Sequence, residues 1–218
     1  MRMAKNSREL EAKHTLYSAT TGGGKTTAIH KSDVLRKQNR IAIFDPYNAY
    51  HKLGRKPVIK TYSLKEFAVT LHKLMNQKKP FVVSLCGVYG KKELILFAEI
   101  LWAVADGNKE LHTVIEELAA SVTPRAIDGR VGELWRGGRQ FGLVMHALFQ
   151  RPQDVPKVVT NLSRYKWIGK VDNSSEAEWW SKQIDVPVTD IKNLKGWHYY
   201  FKETGKPAIY GKLQGARG

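Results

Sequence analysis

The amino-acid sequence predicts a three-layer α/β fold with a mainly parallel central sheet. Short apolar runs that are typical of buried strands alternate with longer segments in which apolar residues recur at helical spacing. Residues 80–86 form a continuous apolar run, as expected for a parallel strand that is covered on both faces. A glycine-rich segment joins the first apolar run to the first helical segment. This alternation is typical of a parallel sheet between two layers of helices.

The predicted elements alternate along the whole chain, whose 218 residues are expected to form a single domain. Apolar and β-branched runs predict strands from residue 14 to the glycine-rich segment and at residues 40–44, 57–62, 80–86, 112–118, 142–149, 165–171 and 208–213. Helical spacing predicts helices at residues 27–38, 64–75, 91–105 and 174–183, and a partly helical segment at residues 126–141 that breaks near Gly137 and Gly138. Ser174 or Ser175 is the expected cap of the last helix.

Residues 19–26 predict a loop that cradles the phosphates of a nucleoside triphosphate. They match the pattern G-x-x-x-x-G-K-[ST], except that Ala19 replaces its first glycine. Glycines let successive backbone N–H groups point at phosphate oxygens, and the following helix directs the positive end of its dipole there. We expect Lys25 to reach the β- and γ-phosphates and the Thr26 hydroxyl to ligate Mg²⁺. The predicted nucleotide-binding residues are Ala19, Thr20, Thr21, Gly22, Gly23, Gly24, Lys25, Thr26 and Thr27.

Two carboxylates end the apolar run that begins at His112, and they supply the acids that hydrolysis needs. At the carboxyl end of a parallel strand they would face the nucleotide crevice. We expect Glu116 to hold the Mg²⁺ shell, through water, and Glu117 to orient or deprotonate the attacking water. The alternative interpretation is a solvated acidic strand end.

The chain is strongly basic, with 36 Lys and Arg against 20 Asp and Glu and a formal net charge of +16. Together with a phosphate-binding loop, this imbalance favours nucleic acid as the partner over a membrane phospholipid surface. One cysteine, Cys86, excludes an internal disulfide and fits a reducing compartment. The longest apolar stretch, residues 94–105, is too short to span a bilayer, so no transmembrane segment is expected.

A third segment follows the predicted helix at residues 126–141. It reads Arg-Gly-Gly-Arg-Gln-Phe-Gly from Arg136 to Gly142, then continues as a strand that ends in Gln150-Arg151-Pro152. A glutamine at the tip of a strand beside the acidic strand can hydrogen-bond the γ-phosphate or its attacking water. The alternative interpretation is a proline turn in which Gln150 is merely exposed.

The segments around Gly138–Gly142 and Gln150–Pro152, with Asp45-Pro46 at the end of the second strand, resemble the FtsK–HerA superfamily of DNA-pumping ATPases. The compact size is similar to the genome-packaging ATPases of tailless icosahedral viruses with an internal membrane, of the tectivirus and corticovirus type. The resemblance covers a core at about residues 14–171 and leaves a C-terminal extension at 172–218. This sequence departs from the family pattern at Ala19, and it has a Glu-Glu pair where Asp-Glu is commoner.

The resemblance implies a three-layer P-loop NTPase of the RecA/FtsK-like type that uses ATP and Mg²⁺ to translocate double-stranded DNA and package a viral genome into a preformed capsid. It implies a homo-oligomeric ring, expected to be a hexamer, with catalytic Lys25, Glu116, Glu117 and Gln150 in one subunit and an arginine from its neighbour. Arg139 matches the family motif, and Arg136 and Arg151 are the other candidates. Capsid or viral membrane vertex proteins would be partners, in the host cytoplasm and at the packaging vertex of the virion.

Several functional interpretations stay open. DNA would contact the ring through phosphates, and the basic candidates are Arg36, Lys37, Arg40, Lys157, Lys192, Lys195, Lys202, Lys206 and Lys212. The aromatic residues Trp179, Trp180, Trp197, Tyr199, Tyr200 and Phe201 suit core or subunit-interface packing, with base stacking as the alternative. A small-molecule kinase would use the same loop, although no arginine-rich lid is evident. A phage assembly or secretion ATPase of the Zot type, and a binding module with a degenerate site, are further alternatives.

Overall fold

The computed structural model describes residues 6–7, 9–125, 127 and 129–214, with the backbone alone described at Asp33. In this part of the chain, nine strands form one central sheet flanked by helices, and a separate two-stranded hairpin lies outside it. The predicted three-layer α/β class is therefore confirmed. None of the described helices is long and apolar enough to cross a bilayer.

The strands follow the chain in the order of their labels. They are β1 (Thr15–Ser18), β2 (Arg40–Asp45), β3 (Lys52–Leu53), β4 (Lys56–Pro57), β5 (Ile59–Thr61), β6 (Phe81–Cys86), β7 (Leu111–Ile115), β8 (Leu143–Phe149), β9 (Tyr165–Ile168), β10 (His198–Glu203) and β11 (Ile209–Lys212). The helices are α1 (Lys25–Lys31), α2 (Asp33–Arg36), α3 (Leu64–Met75), α4 (Lys91–Val104), α5 (Gly129–Arg136), α6 (Lys157–Leu162), α7 (Ser174–Ile184) and α8 (Val188–Lys192). Short 3₁₀ turns at residues 118–120, 138–141 and 152–154 connect some of them.

The order of strands in the sheet determines which loops meet. The order is β11-β10-β9-β1-β8-β7-β2-β6-β5, and the seven strands from β9 to β5 run parallel. Strand β8 lies between β1 and β7, so its carboxyl end separates the glycine-rich loop from the acidic pair. Strands β10 and β11 extend the sheet antiparallel beyond β9.

Two buried apolar clusters cover the two faces of the sheet. Successive residues of a strand point to opposite faces, so Leu16 belongs to one cluster and Tyr17 to the other. The larger cluster lies beneath helices α3, α4, α5 and α7, and the smaller one lies beneath α1, α2 and hairpin β3–β4. The two faces are therefore both buried, as the continuous apolar strands predict.

Helix boundaries agree with the predictions where local capping signals are strong. Helix α3 begins and ends as predicted, because Ser63 accepts a hydrogen bond from the Glu66 N–H and closes the first turn. Helix α7 is capped by Asn173, whose side chain accepts from the Glu176 N–H at 2.9 Å, so the prediction of a serine cap at 174 or 175 was wrong.

Other predicted elements need correction. The predicted helix at residues 27–38 begins at Lys25 and is interrupted at Ser32 between α1 and α2. The predicted strand at 112–118 ends at Ile115, because the Glu117 backbone turns into the left-handed region at φ 45°. Hairpin β3–β4, helices α6 and α8 and strand β10 have no counterpart in the sequence predictions.

The aromatic residues near the end of the described chain mostly pack within the fold. Trp180 is fully buried and packs edge-on against Trp179, with ring centroids 4.6 Å apart. Tyr199 of β10 stacks on Trp167 of β9 at 5.3 Å. These contacts support the packing interpretation for this group, with Trp197 as an exception described below.

Candidate nucleotide-binding site

A cavity of about 370 Å³ lies at the carboxyl ends of β1, β8 and β7. It is lined by Thr20, Thr21, Gly22, Gly24, Lys25, Thr26, Thr27, Glu116, Glu117, Gln150 and Trp197. Ligands of open parallel sheets bind at this edge, where loops follow the strands. The cavity therefore collects most of the residues that the sequence analysis assigns to nucleotide binding and hydrolysis.

The glycine-rich loop has the backbone shape that its sequence predicts. Gly22 and Gly24 have φ values of 72° and 96°, in the left-handed region that favours glycine. Gly23 has no room for a side chain, since a Cβ there would lie 2.8 Å from the Cβ of Ala19. Ala19 itself is not among the described residues with positive φ, so an alanine is accommodated at the position where the pattern has glycine.

Lys25 is folded back over the loop. Its side chain is largely buried, and its Nζ donates to the carbonyl oxygen of Ala19 at 2.7 Å. Burial lowers the pKa of Lys25, and the nearby charges of Glu117 and Glu116 oppose that shift. The ammonium thus lies inside the loop, bonded to backbone carbonyls that are weaker partners than phosphate oxygens.

Glu116 is a buried carboxylate held by two hydroxyl donors. It is 6% exposed, and its Oε1 accepts hydrogen bonds from the hydroxyls of Thr26, at 3.3 Å, and of Tyr50. Burial raises the pKa of Glu116, the hydrogen bond from Tyr50 lowers it, and the charge of Glu117 raises it further. Burial likewise raises the pKa of the Tyr50 hydroxyl, as does the charge of Glu116.

The residues predicted to hold Mg²⁺ fit that ion. Thr26 and Glu116 offer a hydroxyl and a carboxylate oxygen 3.3 Å apart, and Mg²⁺ prefers such oxygen ligands. Among the described residues, no group of three or more His, Cys, Asp or Glu side chains forms a metal site by itself. An ion bound here would therefore take its remaining ligands from phosphates and water, as Mg²⁺ commonly does.

Gln150 joins the loop to the second acid. Its Nε2 donates to Glu117 Oε1 at 3.4 Å, and its Oε1 accepts from the Thr21 hydroxyl at 3.3 Å. Its backbone carbonyl accepts from Ser18 at the end of β1, at 3.0 Å. The positive φ of Glu117 is energetically unfavourable for any residue other than glycine, and such backbone strain is concentrated at functional sites.

Tyr50 and Trp197 belong to the cavity region, but the sequence analysis did not assign either of them to the site. Tyr50 follows the Asp45-Pro46 turn, and the Asp45 carboxylate accepts the N–H groups of Ala49 and Tyr50 at 2.9 and 3.2 Å. No sequence motif identifies Tyr50 as a site residue. Only its spacing from the Asp45-Pro46 turn could have suggested that its side chain is ordered.

Trp197 brings the C-terminal extension to the nucleotide loop. It lines the cavity with a backbone φ of 71°, and its carbonyl accepts from the Leu213 N–H at 2.8 Å. A Cβ added to Gly24 would lie 2.9 Å from Leu213 Cδ1 and 4.0 Å from the Trp197 Cα. Residues beyond 171, which the sequence analysis assigned to a C-terminal extension, therefore form one wall of the site.

Arg136 and Arg139 do not lie in this cavity. They precede β8, at the opposite edge of the sheet from Gln150. Arg139 donates to the carbonyl of Leu10, while Arg136 pairs with Glu133 on its own helix at 3.3 Å and is about half exposed. Neither contacts the site of its own chain, and a role in a neighbouring subunit stays a prediction.

Arg151 lies at the cavity edge of the sheet and is already paired. Its Nε donates to Glu176 of α7 at 2.9 Å. The Thr20 hydroxyl donates to Asp172 at 2.5 Å, so the loop and the strand end are both tied to the start of the C-terminal extension.

The glycine that closes the Arg-x-x-Gly segment has a structural role. Gly142 has φ 75°, and a Cβ there would lie 2.6 Å from the Asp106 carbonyl oxygen. Only glycine fits this turn, which starts β8 and thereby sets the position of Gln150 at its other end.

The chain resembles known proteins in sequence and in fold. No protein-family model matches the chain. The chain is 24% identical over 202 residues to Protein P9 of Pseudoalteromonas phage PM2, a match that covers 89% of this chain and 87% of that protein.

Solved structures share the fold at low sequence identity. The genome packaging NTPase B204 from Sulfolobus turreted icosahedral virus 2, in complex with AMPPCP, matches with a TM-score of 0.72 and 16% identity, over 94% of this chain and 98% of that chain. VirB4 of Thermoanaerobacter pseudethanolicus matches with a TM-score of 0.67 and 12% identity, over 94% and 90%. The chain therefore has the fold of these P-loop proteins, and the resemblance predicted from its sequence is confirmed at the level of the fold.

Proposed function

We propose that the chain is an ATPase that translocates double-stranded DNA and packages a viral genome into a preformed capsid. One observation carries this proposal: Lys25, Thr26, Glu116, Glu117 and Gln150, which come from three strand ends, line a single cavity. That set contains a phosphate ligand, a metal-binding pair, a base and a polar bridge to the loop. The likeness to an NTPase that binds an ATP analogue supports the same assignment.

The glycine-rich loop and Lys25 would bind the phosphates of ATP. The Lys25 ammonium rests 2.7 Å from a loop carbonyl and would exchange that contact for β- and γ-phosphate oxygens. The exchange is favourable because phosphate oxygens carry negative charge that attracts the ammonium, whereas a backbone carbonyl offers only a dipole.

Thr26 and Glu116 would hold Mg²⁺, the Thr26 hydroxyl directly and Glu116 through water. The ion would neutralise charge on the β- and γ-oxygens. The Thr26 hydroxyl could ligate the ion through an oxygen lone pair and still donate its proton to Glu116 Oε1, which also accepts from Tyr50.

Glu117 would act as the base. It would accept a proton from water as the water oxygen bonds to the γ-phosphorus and the bond to the β–γ bridging oxygen breaks. The amide of Gln150, 3.4 Å from Glu117, would orient that water or the γ-phosphate. Because Gln150 also accepts a hydrogen bond from Thr21 of the loop, the loss of the γ-phosphate would change contacts on both sides of the cavity.

The proposed working form is a homo-oligomeric ring, with a hexamer as the expected size. Arg136 and Arg139 lie at the far edge of the sheet, where they cannot serve their own site but are available to a neighbour's. An arginine supplied in this way stabilises the transferring phosphoryl group and is worth about 10³ to 10⁵ in rate. The half-exposed Arg136 is freer to move than Arg139, whose guanidinium is bonded to Leu10.

Duplex DNA would pass through the ring and contact it through phosphates, in keeping with a net charge of +16 and with a motor that must move along any sequence. Capsid or viral membrane vertex proteins would anchor the ring, and the protein would act in the host cytoplasm and at the packaging vertex of the virion.

The test is ATP hydrolysis by the purified chain with and without duplex DNA, across a salt series. We expect DNA to stimulate hydrolysis, and we expect the stimulation to fall as salt displaces the phosphate contacts. Lys25→Ala should lose ATP binding, whereas Glu117→Gln should bind ATP and lose about 10² to 10⁴ in turnover. A wild-type rate that is the same with and without DNA would reject the motor.

A further inference from the structure

Hairpin β3–β4 is a short projection that is fixed to the body of the protein. Leu53 is fully buried in the smaller apolar cluster. The Lys56 ammonium donates to the carbonyls of Arg36 and Gln38, at 2.8 and 2.6 Å. A Cβ at Gly54 would lie 3.4 Å from the Arg36 side chain, so the tip of the hairpin packs against the end of α2.

The surface around this hairpin is basic. Residues 31–60 contain eight lysines and arginines against two aspartates, and one of these, Asp45, is buried with its carboxylate bonded to backbone N–H groups. We define the hairpin patch as Arg36, Lys37, Lys52, Arg55 and Lys60. In the part of the chain that the structure describes, no carboxylate pairs with Lys37, Lys52 or Arg55, and all three are exposed. The charges of Lys37, Lys52 and Arg55 are thus available to an external anion.

The hairpin is also connected to the nucleotide cavity. Tyr50 lies two residues before β3 and donates a hydrogen bond to Glu116, which lines the cavity. The ring of His30, on the helix that follows the glycine-rich loop, packs against Tyr50 with centroids 5.2 Å apart. If hydrolysis changes the contacts of Glu116, the change can therefore reach the start of the hairpin through the hydrogen bond between Glu116 and Tyr50.

We propose that the hairpin patch is the surface with which this chain holds the phosphate backbone of double-stranded DNA, an inference that rests on the proposed function. The patch offers lysine and arginine charges, which suit phosphate contacts that carry no sequence information. Its connection through Tyr50 favours DNA over an anionic membrane, because a motor must couple its grip on DNA to the state of the nucleotide.

The experiment compares two double variants that remove equal charge. Lys52→Ala with Arg55→Ala alters the patch, and Lys192→Ala with Lys195→Ala is the matched control. The control lysines are exposed near α8, on the opposite face of the sheet, and are rival DNA-binding candidates from the sequence. Binding to a fluorescent 30-base-pair duplex is measured across a salt series, with thermal melts of each variant and hydrolysis without DNA as measures of intact folding.

We expect the patch variant to bind the duplex at least tenfold more weakly. The negative slope of log K against log salt should become shallower by about 1.8, which is the change for two lost phosphate contacts. The control should keep the wild-type slope, and both variants should keep the wild-type rate of hydrolysis without DNA. DNA stimulation of hydrolysis should be lost in the patch variant alone.

The possible failures can be told apart. If wild-type protein binds and is stimulated by the duplex but both variants behave alike, this inference is wrong and the motor stands. If wild-type protein does not bind the duplex, the inference and the proposed function fall together. If the patch variant loses binding to phosphatidylserine vesicles and keeps its affinity for the duplex, the patch is a membrane surface and the inference is overturned.

Discussion

The hydroxyl of Tyr50 donates a hydrogen bond to Glu116, a residue 66 positions further along the chain. Strands β2 and β7 are neighbours in the sheet, so the loop after one meets the end of the other at the carboxyl edge. The contact joins a carboxylate of the nucleotide cavity to the segment that leads into the basic hairpin. It makes Tyr50 a positioning residue for Glu116.

Tyr50→Phe should move the acidic limb of the pH–rate profile to higher pH. The hydrogen bond from Tyr50 lowers the pKa of Glu116 against the effect of burial, so its removal raises that pKa and protonates the carboxylate at higher pH. The measurement is the rate of ATP hydrolysis from pH 5 to 9, with Tyr47→Phe as control because Tyr47 is 71% exposed on the same loop. An unshifted acidic limb would show that the hydrogen bond does not act on Glu116.

Gln150→Ala should reduce turnover by about 10²-fold while ATP binding is retained, since it removes one oriented donor from the reacting phosphate. Among the described residues, the Gln150 side chain hydrogen-bonds to Thr21 and Glu117 and not to Lys25, so the phosphate contact of Lys25 should be retained. Steady-state hydrolysis and binding of a fluorescent ATP analogue separate the two effects. Equal losses in binding and turnover would indicate a general collapse of the loop.

Trp197→Ala should weaken ATP binding by about 10- to 100-fold, because stacking on an aromatic ring contributes roughly 1–3 kcal/mol. Trp197 lines the cavity beside Gly24, and it is the one aromatic residue among the described residues of the lining. Trp197→Phe should restore most of the affinity, measured by calorimetry with a non-hydrolysable analogue. If both variants bind as the wild type does, the wall formed by Trp197 has no part in nucleotide binding.

Unfolding free energy should fall as the pH drops from about 6.5 to 4. Burial lowers the pKa of His14 from 6.5 to about 4 and also lowers the pKa values of His112 and His146. Between those values the unfolded chain binds protons that the folded chain excludes, so acid favours unfolding, by about 3 kcal/mol for His14 from ~1.4 kcal/mol per pKa unit.

Urea denaturation at pH 7, 6, 5 and 4 measures this effect. Glu110, whose pKa is lowered to about 2 by its interactions with His112, 3.8 Å away, and with Lys13, contributes only below pH 4.5, so the upper part of the window isolates the histidines. The raised pKa of Glu116 acts in the opposite direction, and His14→Gln is therefore compared with the wild type: it should flatten the pH dependence. A stability that does not change from pH 7 to 4 contradicts the prediction.

Gly142→Ala should destabilise the fold by about 1–3 kcal/mol, because φ is positive there and a Cβ would meet the Asp106 carbonyl. Gly129→Ala is the matched control, since a Cβ at the start of α5 meets nothing within 4 Å. Thermal melts should show a lower midpoint for Gly142→Ala and an unchanged or slightly higher one for the control. Equal midpoints would mean that the turn before β8 tolerates a side chain.

Local patterns were sufficient to predict much of the site. The glycine-rich loop, the Glu116-Glu117 pair and Gln150 each end or follow an apolar strand, and the rule that parallel strands meet at one edge brings them together. The positions of Tyr50 and Trp197 could not be predicted in this way, because each depends on a contact between segments distant in the chain. Strands β3 and β4 have two residues each, too few for an alternating pattern to be recognised.

The wall that Trp197 and Leu213 form beside Gly24 also has a consequence for biosynthesis. The ribosome makes the loop about 170 residues before it adds Trp197, and a domain generally folds as a unit. A nascent chain would therefore carry a fully synthesised glycine loop with one side open to water. Full affinity for nucleotide would therefore be reached only after Trp197 has been added to the chain.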